Sequence, residues 1–239
     1  MGRSWRVKGG KVTALVLQAR LDSSRLNGKA LLPLGGKPIV FRVMEALAFL
    51  PCEKKILACP EGCVSAFGPL AEEAGFVLVP GPKEDVLARY CLAIRKSGAD
   101  RIVRAVADSP FVFVDAARAI DCEAVALGAD YAGYSGIPIG AGVESVASEA
   151  LLRAEREAEA PEEREHVCPY LYRHPEIFRL HRPLAPRRWQ GQEYRITVDT
   201  SEDYDRAVSL YGRLSSLPPG ERNLGENVIS QCERLWKGE

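Results

Sequence analysis

The sequence predicts an α/β fold on a doubly wound, mainly parallel sheet, and three features carry that prediction. The run VTALVL at 12–17 is apolar apart from Thr13, as in a strand covered on both faces. Strand-like and helix-like segments then alternate through residue 108, the pattern that crossover units impose on a parallel sheet. The alternation returns late in the chain, where YRITVDT precedes SEDYDRAVSLYGRL.

Residues 1–10 read as a flexible tail, leaving 11–239 as a single domain, and 239 residues at 46% hydrophobic composition can bury one large core. After the first strand, Pro38 suits a first helical turn, and 39–50 carries a helical apolar stripe that Pro51 ends. KKILAC is a second strand, a helix follows over 65–74, and FVLVP is a third strand. A helix over 84–96 closes on Ser97 and Gly98. RIVRAVA is the next strand, ending at Asp108 in the turn DSPF.

The middle of the chain changes character. ADYAGY reads as a short strand entering the Gly-rich SGIPIGAGVES, and a highly charged, partly helical segment occupies 150–190. Tyr170, Leu171, Tyr172 and Phe178 need packing within it, which a small arm or dimerisation element inserted in the sheet would provide. YRITVDT is read as a strand with Asp199 at its C-terminal end. The following helix has a cap in Thr200 or Ser201, with Glu202 and Asp203 set favourably against its dipole.

Charge and composition exclude several classes. Lys plus Arg and Asp plus Glu stand at 32 each, so no basic field points to nucleic acid as a partner. No apolar stretch approaches the roughly 18 residues of a membrane span, and MGRSWRVKGGK lacks the apolar segment of a secretion signal. A cytoplasmic location without membrane insertion is expected. Seven scattered cysteines form no CxxC pair and read as reduced, mostly buried thiols, while His166, His174 and His181 match no zinc spacing.

Ligands of open α/β sheets collect at the carboxyl ends of the strands, and three segments bring polar groups there. The loop after the first strand places Arg20, Arg25 and Lys29 among Ala19, Ser23, Ser24 and Gly28, with neither Walker nor GxGxxG spacing. Small residues let backbone N–H groups approach phosphate, and the cations neutralise a triphosphate. Asp108 and Asp199 end the other two segments. Each alone serves equally well as a turn or helix cap, but together they form a carboxylate pair suited to Mg²⁺. Gly140 and Gly142 imply a backbone passing close to a ligand or turning tightly, with Glu144 directed into an acceptor pocket. His166, beside Arg164 and Glu165, is a candidate for binding an anionic acceptor or for holding a subunit interface.

VLQARLDSSRLNGKALLPLGGKPIVFRV, GPKEDVLARY, RIVRAVADSPFV, GVESVASEALLRA, EREHVCPYLYRHPEIFRL and YRITVDTSEDYDRA, in this order over about 12–210, resemble the cytidylyltransferases of the spore-coat polysaccharide biosynthesis F type. These are similar to the synthetases of CMP-Kdo and CMP-neuraminic acid. The resemblance implies a nucleotide-diphospho-sugar transferase fold, with an acceptor oxygen attacking the α-phosphorus of CTP and pyrophosphate leaving. It implies nucleotide contacts at Gln18, Arg20, Arg25 and Lys29, metal ligation by Asp108 and Asp199, and base or ribose contacts at Asp85 and Arg89. Arg104 would help hold the acceptor or the triphosphate, and Glu144 and His166 would face the acceptor, a small anionic molecule such as a sugar acid, or a related hydroxyl or phosphate compound. Mg²⁺ is the implied cofactor, and a homodimer built through the charged arm is the implied assembly.

Two departures from the family pattern stand out. Asn27 replaces the usual proline before Gly28, and Gly142 replaces an acidic residue before Val143 and Glu144. Competing readings are transfer from another NTP, or to a phosphonate or sugar phosphate, and a nucleotide-sugar-dependent glycosyltransferase, which would need a DxD-like pair absent from ADSPF. A nucleotide-binding or assembly protein with a decayed site is the non-enzymatic alternative.

Overall fold

Four apolar runs become the parallel centre of the sheet, because strands buried on both faces need no polar side. In a computed structural model describing residues 12–238, these are β1 (Thr13–Gln18), β4 (Lys54–Pro60), β5 (Val77–Gly81) and β6 (Arg101–Val106). The tail expected at 1–10 lies outside the described residues. A small hairpin, β2 (Pro33–Leu34) with β3 (Lys37–Pro38), precedes α1 (Ile39–Leu47), so Pro38 caps that helix from outside rather than opening its first turn. The crossovers are completed by α2 (Val64–Glu73) and α3 (Val86–Ser97), the latter ending on Gly98 at φ 64° as expected.

After β6 the chain runs through α4 (Val114–Leu127), β7 (Tyr131–Ala132) and β8 (Glu144–Ala147). It continues as α5 (Ser148–Glu157), α6 (Pro161–His166), α7 (Pro169–Arg173), β9 (Leu180–His181), α8 (Ser201–Leu214) and α9 (Gly225–Trp236). The seven-stranded sheet has the order β5-β4-β1-β6-β8-β7-β9. It is mixed: β8 runs antiparallel to both β6 and β7, and the other pairings are parallel.

Alternation along β1 sends Leu15 and Leu17 to one face and Ala14 and Val16 to the other. The first face is covered by α1, α2, α4, α8 and α9, the second by α3, α5 and α7. Leu15 and Leu17 are fully buried, each contributing roughly 2 kcal/mol by leaving water. Among the described residues no helix is long and apolar enough to cross a membrane.

One expectation is corrected. YRITVDT is not a strand: it makes one isolated bridge, Arg195 with Ile139, although Ile196 and Val198 are buried as alternation required. Its backbone is shared between two loops, since Ile196 N–H donates to the Ile139 carbonyl (2.9 Å) and Val198 N–H to that of Asp108 (2.8 Å). The charged 150–190 segment buries part of its apolar set within this chain, while Ile177 and Leu184 stay exposed. Tyr170, Leu171 and Phe178 pack with α3 and α5 in the core of the second face.

Candidate active site

The site forms where β1 and β6 end. Beyond β1, Gly28 adopts φ 68° and lets the chain turn into a single 3-10 turn, Lys29–Leu31. Lys29 is thereby buried, and its Nζ donates to Asp108 Oδ2 and Asp199 Oδ1, both at 2.7 Å. The two carboxylates, far apart in sequence, converge on one ammonium.

Asp199 reaches that point through backbone fastenings. The Asp108 carbonyl accepts from Val198 N–H and, at 3.2 Å, from the Thr197 hydroxyl, so the residue supplying one carboxylate also anchors the segment supplying the other. Gly140, at φ 97°, lies against this segment: a Cβ there would stand 2.6 Å from Thr197 N. The close approach expected of the Gly-rich stretch is therefore to the backbone of 196–198. At Gly142 a Cβ would meet only the side-chain tip of Ile137, at 2.6 Å.

Cations outnumber what Asp199 alone needs. Arg195 donates to its Oδ2, and Arg25 lies 3.4 Å from Oδ1. Burial pushes the Asp199 carboxyl up, but the hydrogen bond and charge of Lys29, with Arg25 and Arg195, hold it below the ordinary carboxylate range. Asp203 completes the capping box of α8 with Thr200, accepts from Asp199 N–H and Thr200 N–H at 3.1 Å each, and faces Arg195 and Arg206. Its carboxyl too is lowered, burial being outweighed by Arg206 and the two backbone donors. A cap of this kind contributes about 1 kcal/mol, and here it also orients the Asp199 backbone.

Gln18, Arg20, Lys29, Arg104, Asp108 and His166 line one cavity of about 200 Å³ with Glu165. All but Glu165 are residues the sequence singled out. Arg25 and Asp199 stand just behind Lys29 through the contacts above. Arg104 also lines a neighbouring cavity of about 270 Å³, with Tyr131, Tyr134, Ser135, Glu144 and Arg182. There the Glu144 carboxylate accepts from Arg104 Nη1, from Tyr131 Oη at 2.8 Å, and from the Cys168 thiol at 3.6 Å. Burial opposes the charge of Arg104, yet Glu144 raises its pKa above the usual arginine value. Burial, then Glu144, pushes the Tyr131 phenol and the Cys168 thiol up.

Two expected nucleotide contacts lie elsewhere. Asp85 caps α3 by accepting from Ala88 N–H (2.9 Å) and takes a two-pronged pair from Arg164, with Nε at 2.8 Å. Arg89 is wholly buried, and its Nη1 donates to the Pro82 and Lys83 carbonyls. Neither lines the two cavities. Both brace the 81–85 loop, opposite which Lys83 pairs with Asp22 at 2.7 Å beside a further cavity at Pro60, Cys63 and Gly81.

Sequence reasoning did not single out Arg195, Tyr131, Cys168 or Arg182 as site residues. Only Asp203 carried a signal for its part, its spacing behind Thr200 as a helix cap. Nor did it detect Val167, buried at φ 76° and ψ −55°, the one non-glycine at positive φ among the described residues. Such a backbone in a β-branched residue costs on the order of 1–3 kcal/mol and accumulates near functional sites.

A mainly parallel α/β sheet with a phosphate-suited cationic loop beyond β1, and two carboxylates meeting that loop's lysine where β6 ends, defines a nucleotidyltransferase-type protein. Residues 14–234 match the cytidylyltransferase family model, and the chain belongs to that family. It is 30% identical over 211 residues to the spore coat polysaccharide biosynthesis protein SpsF of Bacillus subtilis (strain 168), covering 85% of this chain and 88% of that one. Among solved structures it is similar to a cytidylyltransferase from Leptospira borgpetersenii, with TM-score 0.83 and 23% identity over 96% of this chain and 95% of that one. A CMP:2-keto-3-deoxy-manno-octonic acid synthetase complexed with CTP shares the fold at TM-score 0.67 and 16% identity, over 86% of this chain and 100% of that one.

Proposed function

We propose that this protein transfers CMP from CTP to a small anionic acceptor of the sugar-acid kind, releasing pyrophosphate, in the cytoplasm. The observation that carries the reading is the bridging of Asp108 and Asp199 by Lys29 at the rim of a cavity that Gln18 and Arg20 also line. Arg20, Arg25 and Lys29 would meet the triphosphate and stabilise charge on departing pyrophosphate. The second cavity, walled by Tyr131, Ser135, Arg182 and the Arg104–Glu144 pair, has the hydroxyl and charge chemistry for a polyhydroxylated anion. A homodimer would form on a surface other than the apolar residues of 150–190 already used by the core.

Asp108 and Asp199 are the residues that would hold Mg²⁺. Their fit to it rests on hard carboxylate oxygens that already flank a cation, the Lys29 ammonium. Among the described residues no third His, Cys, Asp or Glu joins them, so phosphate and water oxygens would complete the shell. When bound, Mg²⁺ would supply charge neutralisation at the triphosphate. Lys29 and Arg195 orient the two carboxylates for it.

Pyrophosphate release measured over a matrix of nucleoside triphosphates and acceptors tests the reading. CTP with one class of acceptor should stand out, and Asp108→Ala should abolish release while the melting transition shows a folded protein. Turnover unchanged in that variant, or release with no preference for CTP, would defeat the assignment.

A further inference from the structure

The three histidines are held in different ways. His174 Nδ1 lies 2.9 Å from Glu176 and His181 Nε2 lies 2.8 Å from Glu123, each outside the site cavity. The His166 ring has no hydrogen-bond or ion-pair partner among the described residues, and it lines the cavity of Lys29, Arg104 and Asp108. Its backbone is the fixed part. Cys168 N–H donates to the His166 carbonyl at 2.9 Å across Val167, closing a γ-turn of the rare positive-φ kind.

The turn is held from the side of the second cavity and flanked on the side of the first. Glu165 lies 3.6 Å from Arg20, on the side of the cationic loop, and Cys168 Sγ donates to Glu144, on the side of the second cavity. Val167 is fully buried in the core of the second face. A backbone this unfavourable persists only where its surroundings over-determine it, and here the residue before it presents an exposed, unpartnered imidazole to the first cavity.

We propose that His166 is the proton acceptor of the reaction, a role that rests on the nucleotidyl-transfer reading above and deepens it. An unprotonated ring nitrogen takes the proton of the acceptor hydroxyl. The acceptor oxygen then bonds to the α-phosphorus, and the bond from that phosphorus to the β-phosphate oxygen breaks. Pyrophosphate leaves with the electron pair, and the imidazolium returns its proton to solvent. Val167 is the positioning residue.

The groups facing His166 are Arg20, Lys29, Arg104 and Asp108 across the cavity, and Glu165 beside it in the chain. The Asp85–Arg164 pair lies between α3 and α6, and Glu163 with Arg173 between α6 and α7. Lys29 and Arg104 are each matched by carboxylates, so the imidazole is not flanked by unbalanced cations from those two.

The experiment is the pH profile of kcat for pyrophosphate release, using the most active nucleotide and acceptor pair. In wild type the profile should carry an acid limb that depends on the His166 side chain. His166→Gln and His166→Ala should lower kcat by about 10²-fold or more and lose that limb, while CTP affinity measured by calorimetry stays within about threefold. Imidazole added to the alanine variant should restore part of the rate. Val167→Gly should lower kcat and keep the limb.

An unaltered limb in His166→Gln, or a loss of CTP affinity as large as the loss of kcat, overturns the role while leaving nucleotidyl transfer standing. Absence of pyrophosphate from wild type with every pair overturns both. Should the His166 variants not fold, the His174→Gln/His181→Gln double variant leaves His166 as the only histidine of the chain's three. Its ring C–H resonance should shift when CTP with Mg²⁺ is added, and a resonance that does not move sinks the proposal.

Discussion

Two charged clusters lie on either side of the space between the cavities, and they are built inversely. Around Lys29 one cation sits between two carboxylates, with Arg25 and Arg195 in reserve on Asp199. Around Glu144 one carboxylate sits among donors, Arg104, Tyr131 and Cys168. The first sets three cations against two carboxylates and can trade partners when a polyanion arrives. The second is closed on itself: Arg104 is already neutralised, so its task is to shape the wall, and Arg182, exposed in the same cavity, has no carboxylate partner among the described residues. One cluster is made for exchange, the other for rigidity.

The contrast breaks most visibly at Lys29. Lys29→Met should reduce pyrophosphate release by about 10²–10³-fold, the usual cost of removing a donor aimed at developing charge. Its pH signature separates it from simple damage. Asp199 in wild type has a folded-state pKa below its unfolded value, so its ionised form adds stability that is complete above the ordinary carboxylate range and lost as pH falls through the folded value. The variant should show a smaller drop in Tm between about pH 6 and about pH 3 than wild type. An equal drop would mean that Lys29 does not set the Asp199 carboxyl.

Gly140→Ala probes the fastening of Asp199 without touching a charge. A Cβ 2.6 Å from Thr197 N, on a backbone at φ 97°, should cost about 2–4 kcal/mol in denaturant unfolding and lower kcat by shifting Asp199 off Lys29. Full activity would show that the 196–198 segment does not position that carboxylate. Glu144→Gln tests the rigid cluster and should act on stability, by about 2–3 kcal/mol, because Arg104 would keep its burial and lose its counter-charge. Acceptor KM should rise more than kcat falls. A variant as stable as wild type would reclassify Arg104 as free to bind an anion.

How much of this could be read beforehand follows from what each residue depends on. The core strands were legible because continuous apolar runs such as VTALVL admit few alternatives, Lys29 and Asp108 were legible because each follows such a run, and Asp199 was legible as the polar end of the alternating YRITV. β8 was hidden: four residues at the end of a Gly-rich stretch give too little alternation to mark a strand. The Ala-rich α4 and the C-terminal α9 went unread although Gly128 stops the first and Val228 and Cys232 stack at helical spacing in the second. YRITVDT misled because burying Ile196 and Val198 needs an extended chain, which two loops support as well as a neighbouring strand does. Arg195 and Val167 gave no signal, since their roles arise from loop closure across distant segments.

The smallest expected effect sits where the charged segment meets the exchanging cluster. Arg20 and Glu165 stand 3.6 Å apart with about half of each side chain in solvent (44% and 51%), so their pairing should contribute less than about 0.5 kcal/mol to folding. Glu165→Gln should therefore leave Tm unchanged. It should also release Arg20, which is the test of exchange: a cation no longer shared with Glu165 meets the triphosphate more freely, and KM for CTP should fall a few-fold at low salt, with the difference vanishing as salt screens it. A KM that rises instead would place Glu165 among the groups that hold the nucleotide loop in shape, and would make the Arg20 side of the site as rigid as the Glu144 side.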